Sequence, residues 1–278
     1  METLSFIKAA LAEDIGTGDH TSLSTIPSDK KGSAHLLVKE DGVLSGLTLG
    51  LIIIKEVDPS LKVEVFKQDG DTIAKGDIVL VVEGAIQSIL KAERLVLNCM
   101  QRLSGVATIT HKYAETIKGT GARVLDTRKT TPLLRQWEKN AVIHGGGYNH
   151  RFGLFDMILI KDNHVDGSGG IREALEGAKN YLQKNKLDLQ IEIETRNLQE
   201  VQQVLNCGIA HRIMFDNFSP ALVAEAVQLV NKTLETEASG GINLTNIREY
   251  AEAGVDYISV GALTHSVKSL DLSLKIRK

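Results

Sequence analysis

From about residue 121 onward, short apolar runs alternate with stretches of helical pattern, and this alternation constrains the fold more than any other feature of the chain. The runs are ARVLD, FDMILIK, LQIEIE, RIMFD, KTLETE and DYISVG. Between them, residues 171–184, 197–206, 219–231 and 243–253 read as helices. Regular β–α alternation specifies a parallel sheet or barrel with helices outside. About 145 residues are available for it. A closed eightfold barrel typically takes ~250, so an open, incomplete β/α barrel is expected.

The first third has a different rhythm. Residues 5–15 form a short amphipathic helix, followed by the loop GTGDHTS and the strand-like runs AHLLVKE, LKVEVFK and DIVLVVEG. Residues 88–104 switch to helical period, with Ile89, Ala92, Val96, Cys99 or Met100, and Leu103 on one face and Arg94, Asn98 and Gln101 on another. Gly105 suits a stop just after them. The chain therefore divides into an N-terminal α/β domain at 1–104 and a barrel domain at 105–266.

The 278 residues carry a net charge of −3, so no basic field recruits nucleic acid. Cys99 and Cys207 have no pairing or metal-ligand spacing, which suits a reducing compartment. The N-terminal METLSFIKAALAEDIG lacks the uninterrupted apolar core of a secretion signal, and no run approaches membrane-spanning length. A soluble, cytoplasmic protein with no membrane partner is expected.

Each barrel run ends in chemistry. RVLD leads to Arg128 and Lys129, MILI ends at Lys161, LQIEIE carries Glu192 and Glu194, RIMF ends at Asp216 and Asn217, the next run leads to Ser239, Gly240 and Gly241, and YISV ends at Gly261. In β/α barrels the carboxyl ends of the strands open on one face, and that face holds the site. Arg128, Lys129, Arg151 and Lys161, with His150 adjacent, would then crowd one mouth. One such cation alone is usually a solvated surface charge. Several together repel one another unless a polyanion offsets them. A ligand with several carboxylates or phosphates is implied, arginine binding such groups bidentately and lysine as a point charge. SGG at 239–241 precedes a helix expected from near Asn243, and small residues there admit an anion to backbone N–H groups. A phosphorylated sugar fits, with acids at neighbouring strand ends holding its hydroxyls or Mg²⁺. Of Glu192 and Glu194, at most one is expected to face the interior.

The motifs EDIGTGDHTS, ERLVLNCMQRLSGVAT, LDTRKTTP, GGGYNHRFGL, LIKDNH, FDNF, EASGGI and GVDYISVGALTHS, in this order, resemble the quinolinate phosphoribosyltransferase family nearly end to end. The resemblance implies an N-terminal α/β sandwich, an open α/β barrel, and final residues, 267–278, that return to the first domain. It implies a Mg²⁺-dependent reaction of quinolinate with phosphoribosyl pyrophosphate, yielding nicotinate mononucleotide, pyrophosphate and carbon dioxide in NAD biosynthesis. By the same resemblance Arg128, Lys129, His150, Arg151 and Lys161 hold carboxylates and phosphates, Lys129 and Lys161 being the catalytic cations. Glu192 is the inward acid and, with Asp216, a catalytic residue and the ribose and metal ligand, directly or through water. Ser239, Gly240, Gly241, Gly261 and His265 form the 5′-phosphate loop. Arg94 reaches a partner's site in a homodimer, which can build into a higher assembly of dimers. Leu133 stands where the family often has glycine, and Asn140 and Ile143 where it usually has tyrosine and arginine. Two other readings compete: a nicotinate phosphoribosyltransferase, which handles one carboxylate and releases no carbon dioxide, and a non-catalytic sugar-phosphate sensor.

Overall fold

The computed structural model describes residues 3–277. The chain forms two compact units: residues 1–111, 131–146 and 266–278 in one, and 112–130 and 147–265 in the other.

The first unit is built on strands β1 (Lys31–Val38), β2 (Gly42–Val43), β3 (Lys62–Val65), β4 (Thr72–Ile73) and β5 (Ile78–Ala85). Its main sheet is antiparallel, with β5 between β1 and β3 and the C-terminal strand on the outer edge of β1. The period-two pattern of β1 buries Ala34, Leu36 and Val38. Helices Leu47–Val57 and Ile86–Thr116 cover that face, and Ile54, Ile89, Ala92 and Val96 meet Leu36, Leu80 and Val82 around one apolar pocket. Gly50 lets the two helices approach closely, since a Cβ there would lie 3.0 Å from the Met100 sulfur.

Two expectations are corrected here. Gly105 does not end the long helix, which runs on to Thr116. A side chain at Gly105 would overlap the carbonyl of Lys268, so this glycine serves close packing of the returning C-terminal segment rather than a cap. Residues 131–146 also depart from the expected 105–266 domain and cluster with the first unit. They contain a helix, Arg135–His144, that buries Glu138 and Lys139 beside Ala141 and Val142. Glu138 accepts hydrogen bonds from Arg102 at 3.0 Å and from the Thr131 hydroxyl at 2.7 Å. A charged helix face here points inward because its charge is paired.

Leu133 has φ = 67° and is 63% exposed. A branched side chain in the left-handed region costs roughly 1–2 kcal/mol. Glycine would remove that strain but add unfolded-chain freedom worth about 0.5–1 kcal/mol. Leu133→Gly is therefore expected to stabilise the protein by up to about 1 kcal/mol. A urea midpoint lower than that of the parent would refute this.

The second unit holds β6 (Arg123–Leu125), β7 (Ile158–Ile160), β8 (Ile191–Thr195), β9 (Arg212–Asp216), β10 (Glu235–Ser239) and β11 (Tyr257–Ser259); the remaining strand, β12 (Leu272–Ile276), is the edge strand of the first unit. The six form a parallel sheet ordered β6-β11-β10-β9-β8-β7. Its edge strands β6 and β7 are not paired to each other among the described residues, so the barrel is open. Helices Ile171–Asn185, Leu198–Cys207 and Pro220–Val230 pack outside against β7, β8 and β10. Ile191, Ile193, Ile213, Phe215, Ala238 and Ile258 are buried on the outward face. The outward face is thus covered by helices, as expected for a parallel sheet built from β–α units.

Candidate active site

Period-two alternation decides what the concave face presents. On β8 it is Glu192 then Glu194, on β9 Arg212, Met214, Asp216, on β10 Glu235, Glu237, Ser239, and on β11 Tyr257 and Ser259. The residues form tiers. Lowest are Arg212, Glu235 and Tyr257, with the Arg212 guanidinium 4.1 Å from the Tyr257 ring centre and 2.8 Å from Glu235. Above them lie Glu192, Glu237 and Ser259, all buried. At the mouth come Lys161, Glu194, Asp216, Ser239 and Gly261.

The mouth is a cavity of about 910 Å³ lined from all six strand ends. Of the residues expected there, Arg128, Lys129, His150, Arg151, Lys161, Asp216, Ser239, Gly240, Gly241, Gly261 and His265 all line it. Arg94 does not; it is exposed on the long helix in the first unit. Glu192 does not either, and this corrects the sequence reading. Residues two apart on a strand share a face, so Glu192 and Glu194 both point inward. Glu192 is fully buried one tier down, while Glu194 reaches the mouth and pairs with Lys161 at 2.7 Å. The signal for Glu194 was present in the sequence: same parity, one step nearer the carboxyl end.

Four cations, Arg128, Lys129, Arg151 and Lys161, share the lining with three acids, Asp162, Glu194 and Asp216, an excess of one positive charge before the histidines are counted. Burial, and then the neighbouring Arg128, pull the Arg151 guanidinium below its usual range. Burial, and then Glu194, raise the Asp216 carboxyl, while Asn217 donates to it at 2.8 Å and partly offsets the rise. Like charges held close on both sides mark a site prepared for a ligand with anionic groups and for a cation beside the acids.

The loops are fixed by short-range bonds. The Thr264 hydroxyl donates to the Lys129 carbonyl at 2.8 Å, and the Lys129 N–H donates to the Thr127 hydroxyl at 3.1 Å. The Lys161 N–H donates to His164 Nδ1 at 2.9 Å. Gly240 has φ = 95°, and a side chain there would overlap Asn217. A Cβ at Gly261 would lie 3.1 Å from the Lys129 side chain, so only glycine leaves that part of the mouth open. The helix expected from near Asn243 begins at Ile247. Asn243 accepts from the Thr245 N–H at 2.9 Å and Asn246 from the Asn243 N–H at 2.8 Å, and such side-chain bonds compete with helix formation. The loop of Ser239–Gly241, rather than a helix end, is what faces the cavity.

Beneath the mouth, His150 Nε2 faces two carboxylates, 2.9 Å from Glu192 and 3.5 Å from Glu237. Glu237 also accepts from the Ser259 hydroxyl at 2.5 Å and from Arg212 at 3.2 Å. Burial pushes the Glu192 carboxyl up to about 7, with Arg212 pulling the other way. Burial and the neighbouring Glu192 push Glu237 up to about 8.

An open parallel α/β barrel with cations, paired acids and a Ser-Gly-Gly loop around one mouth defines a barrel that binds polyanionic ligands. The comparisons are more specific. Residues 19–104 match the model of the quinolinate phosphoribosyl transferase N-terminal domain, and residues 106–275 that of its C-terminal domain. The chain belongs to the quinolinate phosphoribosyltransferase family. It is 47% identical over 285 aligned positions to the mitochondrial quinolinate phosphoribosyltransferase [decarboxylating] 2b of Nicotiana tabacum, covering 97% of this chain and 81% of that protein. It is 42% identical to the probable nicotinate-nucleotide pyrophosphorylase [carboxylating] of Bacillus subtilis, over 95% and 90% of the two chains. The solved structure of the nicotinate-nucleotide pyrophosphorylase from Francisella tularensis superposes with a TM-score of 0.94 at 37% identity, over 99% of this chain and 96% of that one.

Proposed function

We propose that the protein transfers the phosphoribosyl group of phosphoribosyl pyrophosphate to quinolinate with loss of carbon dioxide, giving nicotinate mononucleotide and pyrophosphate in de novo NAD biosynthesis. The observation that carries this reading is the meeting of Arg128, Lys129, Arg151 and Lys161 with the Ser239–Gly241 loop at one cavity. A dicarboxylate and a sugar phosphate together need that many positive and hydrogen-bonding groups. A single-carboxylate substrate would leave Arg128, Lys129 and Arg151 with one anionic group fewer to hold than they can bind.

In this reading Lys129, Arg128 and Arg151 orient the two carboxylates so that the pyridine nitrogen faces C1 of the ribose. The Ser239–Gly241 loop, Gly261 and His265 hold the 5′-phosphate. The nitrogen lone pair forms the new bond to C1 as the C1–O bond to pyrophosphate breaks. No covalent enzyme intermediate is needed, and positioning with electrostatics supplies the catalysis. The ring nitrogen becomes cationic, so the electron pair left at the adjacent carbon when carbon dioxide departs is stabilised. A proton then takes its place. Lys129 is the first candidate to hold charge beside that carbon, and Lys161, tied to Glu194, the charge of the leaving phosphates.

Glu194 and Asp216 fit Mg²⁺: they are hard oxygen donors at adjacent strand ends, with the Asp216 carboxyl raised by burial and then by Glu194. Bound there, Mg²⁺ would neutralise charge on the pyrophosphate. No helix among the described residues is long and apolar enough to cross a membrane. On the family resemblance we take the protein to work in the cytoplasm as a homodimer, itself able to build into a higher assembly of dimers.

Purified protein given quinolinate labelled in the carboxylate next to the ring nitrogen is expected to release labelled carbon dioxide only when phosphoribosyl pyrophosphate and Mg²⁺ are both present. Equal turnover of nicotinate would favour the single-carboxylate enzyme. Binding of phosphoribosyl pyrophosphate with no release would favour the sensor.

A further inference from the structure

We infer that buried Glu192 is a positioning residue for the anion site, holding the His150 imidazole in the one tautomer that fixes Arg151. Three contacts carry this. The Arg151 N–H donates to His150 Nδ1 at 2.7 Å, so Nδ1 presents a lone pair and the ring proton resides on Nε2. Nε2 lies 2.9 Å from Oε2 of Glu192, a carboxyl group with no exposed surface. The His150 N–H donates to the buried Asp126 at 2.9 Å. The peptide linking His150 to Arg151 is thereby held from both sides, and the Arg151 side chain leaves it toward the mouth, donating to the Met157 carbonyl at 3.1 Å.

A divalent metal is the other occupant these groups suggest, since ligand atoms of His150, Glu192 and Glu237 lie within 4.8 Å of one another. The tautomer opposes it. A metal needs the Nε2 lone pair, which is available only if Nδ1 carries the proton. A proton on Nδ1 would confront the Arg151 N–H. Part of the charge is already met from within the protein, since Arg212 pairs with Glu237 at 3.2 Å and with Glu235 at 2.8 Å. Glu192 therefore stands as the buried acid beside a histidine, one step removed from any ligand.

The test has two arms, and only the second rests on the proposed reaction. In ¹⁵N-histidine-labelled protein, His150 is expected to show a protonated Nε2 and a lone-pair Nδ1. Glu192→Leu is expected to mix the two tautomers, and Glu192→Gln, whose amide oxygen still accepts, to keep one. In calorimetry with quinolinate, Glu192→Leu is expected to bind at least tenfold more weakly and Glu192→Gln within about threefold of the parent. Should Glu192→Leu not fold, the parent spectrum and Glu192→Gln still decide. A proton on Nδ1 in the parent, a retained stoichiometric metal ligated by Nε2, or unchanged quinolinate affinity in folded Glu192→Leu would each overturn the inference. A parent protein with the expected tautomer that binds no quinolinate would overturn the reaction instead.

Discussion

Lys129→Ala and Arg151→Ala proteins are each expected to bind quinolinate more weakly by about 1.5–3 kcal/mol, the range for a hydrogen bond to a charged group, or roughly 10- to 150-fold in dissociation constant. Lys129 is exposed and its backbone, not its ammonium, is what Thr264 anchors, so the substitution is expected to leave folding stability within about 0.5 kcal/mol. Arg151 is half-buried, and its loss forfeits the bond to Met157, worth about 1 kcal/mol, while relieving repulsion by Arg128. Titration calorimetry with quinolinate, beside urea unfolding of the same samples, separates binding from folding. An unchanged affinity in either variant would remove that residue from the substrate's carboxylates.

Mixing two inactive proteins is expected to restore activity if the site is shared between subunits. Arg94 is exposed on the long helix of the first unit, and Lys129 lines the cavity of the second. In an isologous dimer using Arg94 from one chain and Lys129 from the other, a dimer of Arg94→Ala with Lys129→Ala holds one site with both defects and one with neither. After dissociation and reassociation in equal amounts half the dimers are mixed, so about a quarter of parental activity should return. If Arg94 serves its own chain, every site keeps one defect. Inactivity in a mixture shown to have exchanged subunits would therefore place Arg94 in cis or outside the site.

The barrel was legible because its strands are short, apolar and separated by helices of clear period. The mouth was legible because strand ends are easy to locate from those runs. Three features differ from the sequence reading, the first by strand parity and the other two because of long-range packing. Glu192 and Glu194 were taken to face opposite ways, and the error lay in the parity, not in the residues. The helix Arg135–His144 is not evident from sequence, since Glu138 and Lys139 occupy buried positions that an amphipathic pattern reserves for apolar side chains. Gly105 looked like a cap, and only the close approach of Lys268 explains it. Pairing partners distant in sequence decided the last two.

The polar tiers of the barrel interior also bear on how the strands find their alignment during folding. A strand displaced by one residue would turn its isoleucines inward, and hydrophobic burial rejects that. A displacement of two residues keeps every side chain on its proper face, so burial barely discriminates against it. Charge does. With β9 shifted by two, Arg212 would leave Glu235 and Glu237 and stand at the level of Met214, stranding Glu237 in a place without water. The ion pairs under the site thus act as a vernier, selecting among alignments that the apolar pattern alone leaves equivalent.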